Sequence, residues 1–168
     1  MDESEIGSER LTLTPLVPGD ADELADVLAD EKLHEFTGGA PAGAEEQRAR
    51  YQRMVAGSGR AAETWMNWVV RRRSDGRPVG TVQATIVEDG GDRTTAWVAW
   101  VIGVSWQGQG FAAEAARALV ARLREQGVNE IAAAVHPGHT ASQRVAARAG
   151  LSQTDETVDG EQVWRLIR

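Results

Sequence analysis

The sequence predicts a mixed α/β fold of the α+β kind, and residues 1–168 are expected to form a single domain. The first observation is the length, 168 residues, which suits one domain with a substantial core. The second is the spacing of apolar residues, which changes from helical to strand periodicity in the middle of the chain. The predicted order is one strand, two helices, three strands in a meander, and then helix, strand, helix and strand. This order indicates a mixed sheet.

The first third of the chain begins with alternating leucine and polar residues at 10–16, which predict a strand. A helix is predicted at 19–30, where Asp20 and Glu23 have the spacing of a capping box. A loop rich in glycine, alanine and proline follows. The second helix, at 45–57, ends in a glycine.

The rest of the chain begins with two β-rich runs joined by "SDGR", which predict a hairpin. A third, aromatic-rich run carries Trp97 and Trp100, whose odd spacing places them on opposite faces of a strand, so at least one can line a pocket. A long helix with small and apolar residues on one face begins after a glycine loop. The predicted strands are 64–73, 78–87, 94–104, 130–136 and 161–167, and a short helix is predicted at 140–150.

Charge and composition restrict the function. The net charge of −7 argues against nucleic acid and membranes as partners, because both require a cationic surface, and it suits an amine substrate. The chain has no cysteine, so disulfides and thiolate metal sites are excluded, and no metal is expected. The acidic first ten residues do not resemble a targeting segment, and no apolar run has membrane-spanning length. The expected location is therefore cytoplasmic.

Residues 107–112, here called the glycine loop, join the aromatic-rich strand to the long helix. Such a joint can cradle phosphates, because the first amides of the helix point outward and the helix dipole favours anions. Gly108, Gly110 and Ala113 also fit the dinucleotide fingerprint, but that fold requires an acidic residue after the next strand and several further parallel strands. The chain has neither. A P-loop is excluded because Gly-Lys-Ser/Thr does not occur.

The pattern Gln107-x-x-Gly110-x-Ala112 resembles the acetyl-CoA diphosphate loop of the GNAT N-acetyltransferase superfamily, Gln/Arg-x-x-Gly-x-Gly/Ala. Residues 136–151 resemble the second signature of that superfamily. The segments "SERLTLTPL" and "LHEFTGG" resemble its opening strand and its acceptor-side loop. The resemblance covers nearly the whole chain and is greatest to the RimJ/RimL-like branch, that of the ribosomal-protein-alanine acetyltransferases.

The resemblance implies a GNAT fold, in which a mixed, mostly antiparallel sheet of about six to seven strands is flanked by helices and splayed between strands 4 and 5. It also implies acetyl-CoA as cofactor and a primary amine as acceptor, either a protein N-terminus, an amino acid or a small amine. The amine would attack the thioester directly in a ternary complex, and without cysteine no acetyl-cysteine intermediate forms. Members of the family are often homodimers.

In the family, the loop amides hold the diphosphate, and a bulge in the fourth strand holds the pantetheine arm. By position the bulge falls on Ile102, Gly103 and Val104, and the Val104 amide is the expected oxyanion donor. Glu114 is expected only to compensate the helix dipole. The loop residues expected to bind the cofactor are Gln107, Gly108, Gln109, Gly110, Phe111 and Ala112.

The second signature commonly reads Asn-x-x-Ser, and this chain has His139-x-x-Ser142. His139 takes the place of the asparagine that contacts coenzyme A, although a surface position or a helix cap explains it equally well. Many members protonate the leaving thiolate with a tyrosine, but the only tyrosine here, Tyr51, lies far upstream. In RimL-like relatives a serine at the Ser142 position is assigned this task, so the resemblance implies that Ser142 is the candidate acid and a further cofactor contact. The alternative is a helix N-terminal hydroxyl without a proton-transfer role.

The candidate general base is Glu35, because the resemblance places its loop on the acceptor side. His34, Glu63 and His136 are further candidates, and for each of the four a solvated or structural polar role explains the residue better than catalysis does. The alternative functions are a catalytically silent acyl-CoA-binding module and an aminoglycoside or polyamine acetyltransferase.

Overall fold

A computed structural model of the chain describes residues 1–35 and 40–167. The strands are β1 (Ile6–Gly7), β2 (Leu11–Pro15), β3 (Glu63–Arg72), β4 (Pro78–Glu88), β5 (Thr94–Ile102), β6 (Glu130–Val135), β7 (Ser152–Val158) and β8 (Glu161–Ile167). The helices are α1 (Ala21–Val27), α2 (Ala44–Ala56), α3 (Phe111–Glu125) and α4 (Thr140–Arg148). Within the described ranges, no helix is long and apolar enough to cross a membrane. The predicted mixed α/β fold is confirmed.

The eight strands of the described residues belong to one sheet, in the order β1-β2-β3-β4-β5-β6-β8-β7. The expected number was six to seven, and two strands escape the sequence patterns for different reasons. β1 has only two residues, which is too short for alternation to show. β7 is an edge strand with almost every residue exposed, so its sequence has no apolar face.

The sheet divides between β5 and β6, which are the fourth and fifth predicted strands. These two strands are parallel and pair only over Thr95–Trp97 and Glu130–Ala132. Beyond this short ladder β5 continues to Ile102 and β6 to Val135, and the two strands are no longer paired with each other. β4 remains paired with β5 to its end, and β8 with β6. The expected splay is thus confirmed, and it opens a cleft towards the carboxyl ends of both strands.

Two hydrophobic clusters cover the two faces of the sheet. Neighbouring residues of β3 separate them, since successive strand residues point to opposite faces. Val70 packs in the cluster that contains Leu119 and Leu123 of α3, whereas Val69 packs with Tyr51 in the cluster beneath α1 and α2. The helices are thereby held on both faces, and the divided end of the sheet remains between them.

The capping box predicted from Asp20 and Glu23 is wrong. α1 begins after Asp20 without a side-chain cap. The Asp20 carboxylate instead accepts hydrogen bonds from the Val17 amide at 2.9 Å and from Arg71 at 3.0 Å. Glu23 lies 3.4 Å from the same guanidinium. Both carboxylates are directed to a cation on β3, which local spacing cannot reveal.

Candidate active site

A cleft of about 740 Å³ lies between the diverging ends of β5 and β6. The first turns of α3 and α4 both border it, so two helix N-termini meet at one cavity. Lys32, Leu33 and Glu35 also line it, and the last two belong to the predicted acceptor-side loop at 33–39. Residues 36–39 of that loop lie outside the described residues.

The glycine loop borders the cleft at the start of α3. β5 ends at Ile102, and a 3₁₀ turn over Val104–Trp106 leads into the loop. Gly108 and Gly110 have φ angles of 77° and 82°, in the left-handed region that glycine adopts without strain. Gly110 is the N-cap of α3, and it has no side chain to satisfy the first helical amides. The side-chain amide of Gln107 donates to the Ile102 carbonyl at 2.9 Å and fastens the loop to β5.

The bulge predicted at residues 102–104 is wrong. The pairing of β5 with β4 runs to the end of the strand without a shift in register. Gly103 is required for a different reason, because a Cβ atom there would lie 2.5 Å from the carbonyl oxygen of Val27. Its amide donates to the Val79 carbonyl at 2.8 Å. Gly103 therefore packs against the end of α1 and does not line the cleft.

Arg10, which begins the first predicted strand but is not among the predicted site residues, contacts the glycine loop. Its Nε atom donates to Glu114 at 2.7 Å, and its Nη1 atom donates to the Gln109 carbonyl at 2.9 Å. The guanidinium also lies 4.6 Å from the centre of the Phe111 ring. These partners follow Arg10 by 99 to 104 residues, so only the fold brings them together.

Glu114 has a wider role than compensation of the helix dipole. It lies in the first turn of α3, as that role requires, but its carboxylate also accepts from the Ser8 hydroxyl at 2.5 Å and from the Arg10 amide at 2.8 Å. Burial raises the pKa of Glu114, but the hydrogen bonds from Ser8 and from the backbone and side chain of Arg10 outweigh it. The net pKa is lower than the ordinary value, so the carboxylate stays ionised and binds Arg10.

His139 caps the second helix N-terminus at the cleft. Its Nδ1 atom accepts a hydrogen bond from the Ser142 amide at 3.3 Å, which is the contact that an N-cap side chain makes. Because Nδ1 accepts, the proton of the neutral ring is on Nε2. Burial lowers the pKa of His139, the charge of His136 lowers it further, and Glu35 acts in the opposite direction. The helix-cap interpretation of His139 thus has direct geometric support.

The structure brings most of the predicted site residues to this one cleft. Gly103 and Gln109 are the predicted residues that do not line it, the first because it packs against Val27 and the second because its carbonyl faces Arg10. Those that do line it are Glu35, Ile102, Val104, Gln107, Gly108, Gly110, Phe111, Ala112, His139 and Ser142.

The further candidates for a general base divide into two groups. His136 lines the cleft, whereas His34 and Glu63 are not among the described residues that do. Glu63 accepts a hydrogen bond from the Trp65 indole at 2.7 Å and pairs with Arg60. The carboxylate of Glu63 is therefore bound by residues close to it in the chain, Trp65 in β3 and Arg60 just before it.

The tryptophans of β5 divide in the same way. Trp100 lines the cleft, whereas Trp97 lies 5.4 Å from the guanidinium of Arg165.

Tyr51 is 3% exposed in the cluster beneath α1 and α2, and burial raises its pKa to about 12. No tyrosine is thus available to donate a proton in the cleft.

A family model described as acetyltransferase (GNAT) domain matches residues 10–152. The chain belongs to the GNAT acetyltransferase family. It is an N-acetyltransferase that acts with acetyl-CoA on amines. No curated protein matches the chain in sequence.

Solved structures share the fold of this GNAT chain at low identity. The acetyltransferase of Salmonella typhimurium that modifies the N-terminal serine of 50S ribosomal protein L7/L12 is 17% identical, with 98% of this chain and 99% of that chain covered and a TM-score of 0.77. Mycobacterium smegmatis RimJ in complex with a CoA disulfide is 20% identical, with 97% and 87% covered and a TM-score of 0.77. AAC(6')-Ib in complex with parmomycin and acetyl-CoA is 22% identical, with 95% and 94% covered and a TM-score of 0.73.

The glycine loop of this GNAT chain fits a diphosphate group. The two left-handed glycines expose the backbone, and the N-cap glycine leaves the first amides of a fifteen-residue helix without a side-chain partner. The nearest carboxylate on the helix, Glu114, is neutralised by Arg10. In the described ranges, no group of three or more histidine, aspartate or glutamate side chains is arranged to hold a metal ion.

Proposed function

We propose that acetyl transfer takes place in the cleft by direct attack of the amine in a ternary complex. The observation that supports this most is that the residues for the donor and those for the acceptor line one cavity. The glycine loop, which fits the diphosphate of acetyl-CoA, and the carboxylate of Glu35, on the segment assigned to the acceptor, line the same cavity. Donor and acceptor are thereby held together, and this replaces a bimolecular encounter by a reaction within one complex.

The backbone on the β5 side of the cleft holds the donor. The amides of Gly108, Gly110 and Ala112 bind the diphosphate, and Ile102 contacts the pantetheine arm through its main chain. When bound, acetyl-CoA supplies a thioester, whose carbonyl carbon is the electrophile. The Val104 amide opens a 3₁₀ turn, so it has no partner inside that turn, and it donates to the acetyl oxygen as negative charge develops.

Two side chains move protons. Glu35 is exposed at the acceptor side and accepts the proton that the ammonium group loses before attack. Ser142, in the first turn of α4, lines the cleft and donates a proton to the leaving thiolate, and its hydroxyl is restored by the proton that the attacking nitrogen loses as the amide forms. His139 fixes the position of Ser142 through the cap hydrogen bond, and we assign its ring to a contact with coenzyme A as well.

The acceptor that we propose is the amine of a protein N-terminus. Support comes from the Salmonella structure, whose enzyme modifies the N-terminal serine of a ribosomal protein. The second candidate is an aminoglycoside or polyamine, which is supported by AAC(6')-Ib and by the net charge of −7. We also propose a single domain over residues 1–168 and a cytoplasmic location. We further propose a homodimer, and light scattering tests this oligomeric state.

The experiment is a thermal shift with acetyl-CoA followed by thiol release across a panel of amines. A ligand at about a hundredfold excess over its Kd adds about 2.7 kcal/mol to the free energy of unfolding, so the melting temperature should rise clearly. Peptides with free N-termini should release thiol faster than acetylated peptides, aminoglycosides or polyamines. A shift without thiol release for any amine would support the silent acyl-CoA-binding module. No shift at millimolar acetyl-CoA would refute the assignment of the glycine loop.

A further inference from the structure

We infer that Arg10 is a positioning residue for acetyl-CoA, which orients the glycine loop from the side opposite the cleft. Arg10 is not among the described residues that line the cleft, so it acts through the loop. It borders a separate surface hollow of about 320 Å³ with Arg73 and Phe111. The inference rests on the proposed role of the loop in holding the diphosphate.

The position of Arg10 is fixed by Glu114. The carboxylate accepts from both the side chain and the main chain of Arg10, at 2.7 and 2.8 Å, and from the Ser8 hydroxyl. The Glu114 side chain is only 12% exposed, whereas the Arg10 side chain is 43% exposed, so the carboxylate of this charge-assisted pair is shielded from water and the guanidinium is partly solvated. The turn between β1 and β2 is thereby joined to the first turn of α3.

The fixed guanidinium determines the orientation of one peptide group in the loop. Its Nη1 atom holds the Gln109 carbonyl at 2.9 Å, and neither Arg10 nor Gln109 is among the described residues that line the cleft. In a trans peptide the carbonyl and the following amide point in opposite directions. The Gly110 amide is therefore directed away from Arg10, and Gly110 itself lines the cleft. Holding this carbonyl preorganises the amide for an anion and removes the cost of ordering the loop on binding.

Two further contacts restrict the loop to this arrangement. The guanidinium stacks over the Phe111 ring at 4.6 Å, and Phe111 is the first residue of α3. A Cβ atom on Gly110 would lie 3.3 Å from the Nη2 atom of Arg10. Arg10 and the glycine backbone are thus packed against each other, so movement of one displaces the other.

The test compares coenzyme A with pantetheine, which has the same thiol arm and no diphosphate. Dissociation constants are measured by calorimetry, with displacement for the weaker ligand. For Arg10→Met we expect the Kd of coenzyme A to rise about tenfold, the loss of one charge-assisted contact. The Kd of pantetheine should change less than about twofold, and the KM of acetyl-CoA should rise while kcat is nearly constant.

Two variants keep the test decisive. Arg73→Met is the matched control, because the Arg73 guanidinium donates to the Ser8 carbonyl of the same turn at 2.8 Å, and the hydrogen bonds of the described residues include none from Arg73 to the loop. It should leave both constants unchanged. Arg10→Lys preserves the charge beside Glu114 but removes the guanidinium, which donates to both Glu114 and the Gln109 carbonyl. This variant should fold normally and still weaken the binding of coenzyme A more than that of pantetheine. If Arg10→Met does not fold, the dissociation constants of Arg10→Lys for coenzyme A and pantetheine decide the test.

The outcomes separate this inference from the proposed function. If the unaltered chain binds coenzyme A no more tightly than pantetheine, the loop does not hold the diphosphate and the proposed function fails. If it discriminates between the two and the Arg10 variants retain that discrimination, only the role of Arg10 is refuted. An equal loss of both ligands would also refute it, because it would show general disruption of the cleft.

Discussion

The first turns of α3 and α4 border the same cleft, but their amides are used differently. α3 begins at Gly110, which has no side chain to cap it, and its only first-turn acid is held by Arg10. α4 begins at His139, whose ring accepts from the Ser142 amide. A helix end whose amides are already satisfied attracts an anion less than one whose amides are not. In the function that we propose, α3 therefore binds the diphosphate and α4 presents a hydroxyl.

The largest expected effect comes from Ser142, because the comparison gives α4 a chemical role. For Ser142→Ala we expect kcat to fall about a hundredfold, the usual range for loss of a general acid, while the Kd of acetyl-CoA changes little. Steady-state kinetics and calorimetry measure the two. Thr140→Ala is the control, because Thr140 is exposed in the same turn. A kcat within twofold of the unaltered chain would leave Ser142 as a helix residue without a role in proton transfer.

The next effect tests the open end of α3. Gly110→Ala places a side chain in the left-handed region, 3.3 Å from Arg10, so the loop should distort and the Kd of acetyl-CoA should rise about tenfold. The strain itself should lower the free energy of unfolding by about 1–2 kcal/mol.

Gly76→Ala separates strain from binding. Gly76 has φ of 70° in the turn between β3 and β4, and a Cβ atom there meets nothing within 4 Å. We expect the same loss of stability by chemical denaturation and no change in the Kd. Equal weakening of acetyl-CoA binding in both variants would contradict the specific role of the glycine loop.

The smallest effect concerns the cap of α4. His139→Ala should lower the free energy of unfolding by about 1 kcal/mol at pH 7, whereas His139→Asn, which restores an N-cap side chain, should lower it by only a few tenths. Denaturant titration measures both.

The pH dependence of this cap follows from the lowered pKa of His139. A protonated ring cannot accept from the Ser142 amide, so the unfolded chain binds the proton more readily than the folded chain. The stability from the cap is present above about pH 6.5 and is lost as the pH falls through the lower folded pKa. His139→Asn should therefore lose less stability than the unaltered chain between pH 7 and pH 5. An identical pH dependence would exclude the imidazole as the cap.

The sequence predicts those features that depend on neighbouring residues. The helix expected at 45–57 is α2, Ala44–Ala56, because its terminal glycine is a local signal. The opposite faces of Trp97 and Trp100 follow from strand geometry alone, and the structure places only Trp100 in the cleft. The glycine loop is similarly marked by its own residues.

Features that depend on distant contacts could not be predicted. Arg10 meets Gln109 only after the sheet and α3 have formed, and nothing in "SERLTL" distinguishes it from a surface arginine. Gly103 resembles a bulge glycine in sequence, but glycine is required there because Val27 lies too close for a side chain. Asp20 and Glu23 have the spacing of a capping box, but in the fold both carboxylates pair with Arg71 on β3.

The central claim is that α3, and not α4, presents its amides to the diphosphate. The most direct measurement is a titration of the ¹⁵N-labelled chain with coenzyme A and with pantetheine, monitored by amide chemical shifts. The difference between the two ligands should appear as downfield shifts at Gly108, Gly110 and Ala112, since these amides gain charged acceptors. The amide of Ser142, which His139 already satisfies, should move little. Large shifts confined to the first turn of α4, with the glycine loop unaffected, would contradict the account.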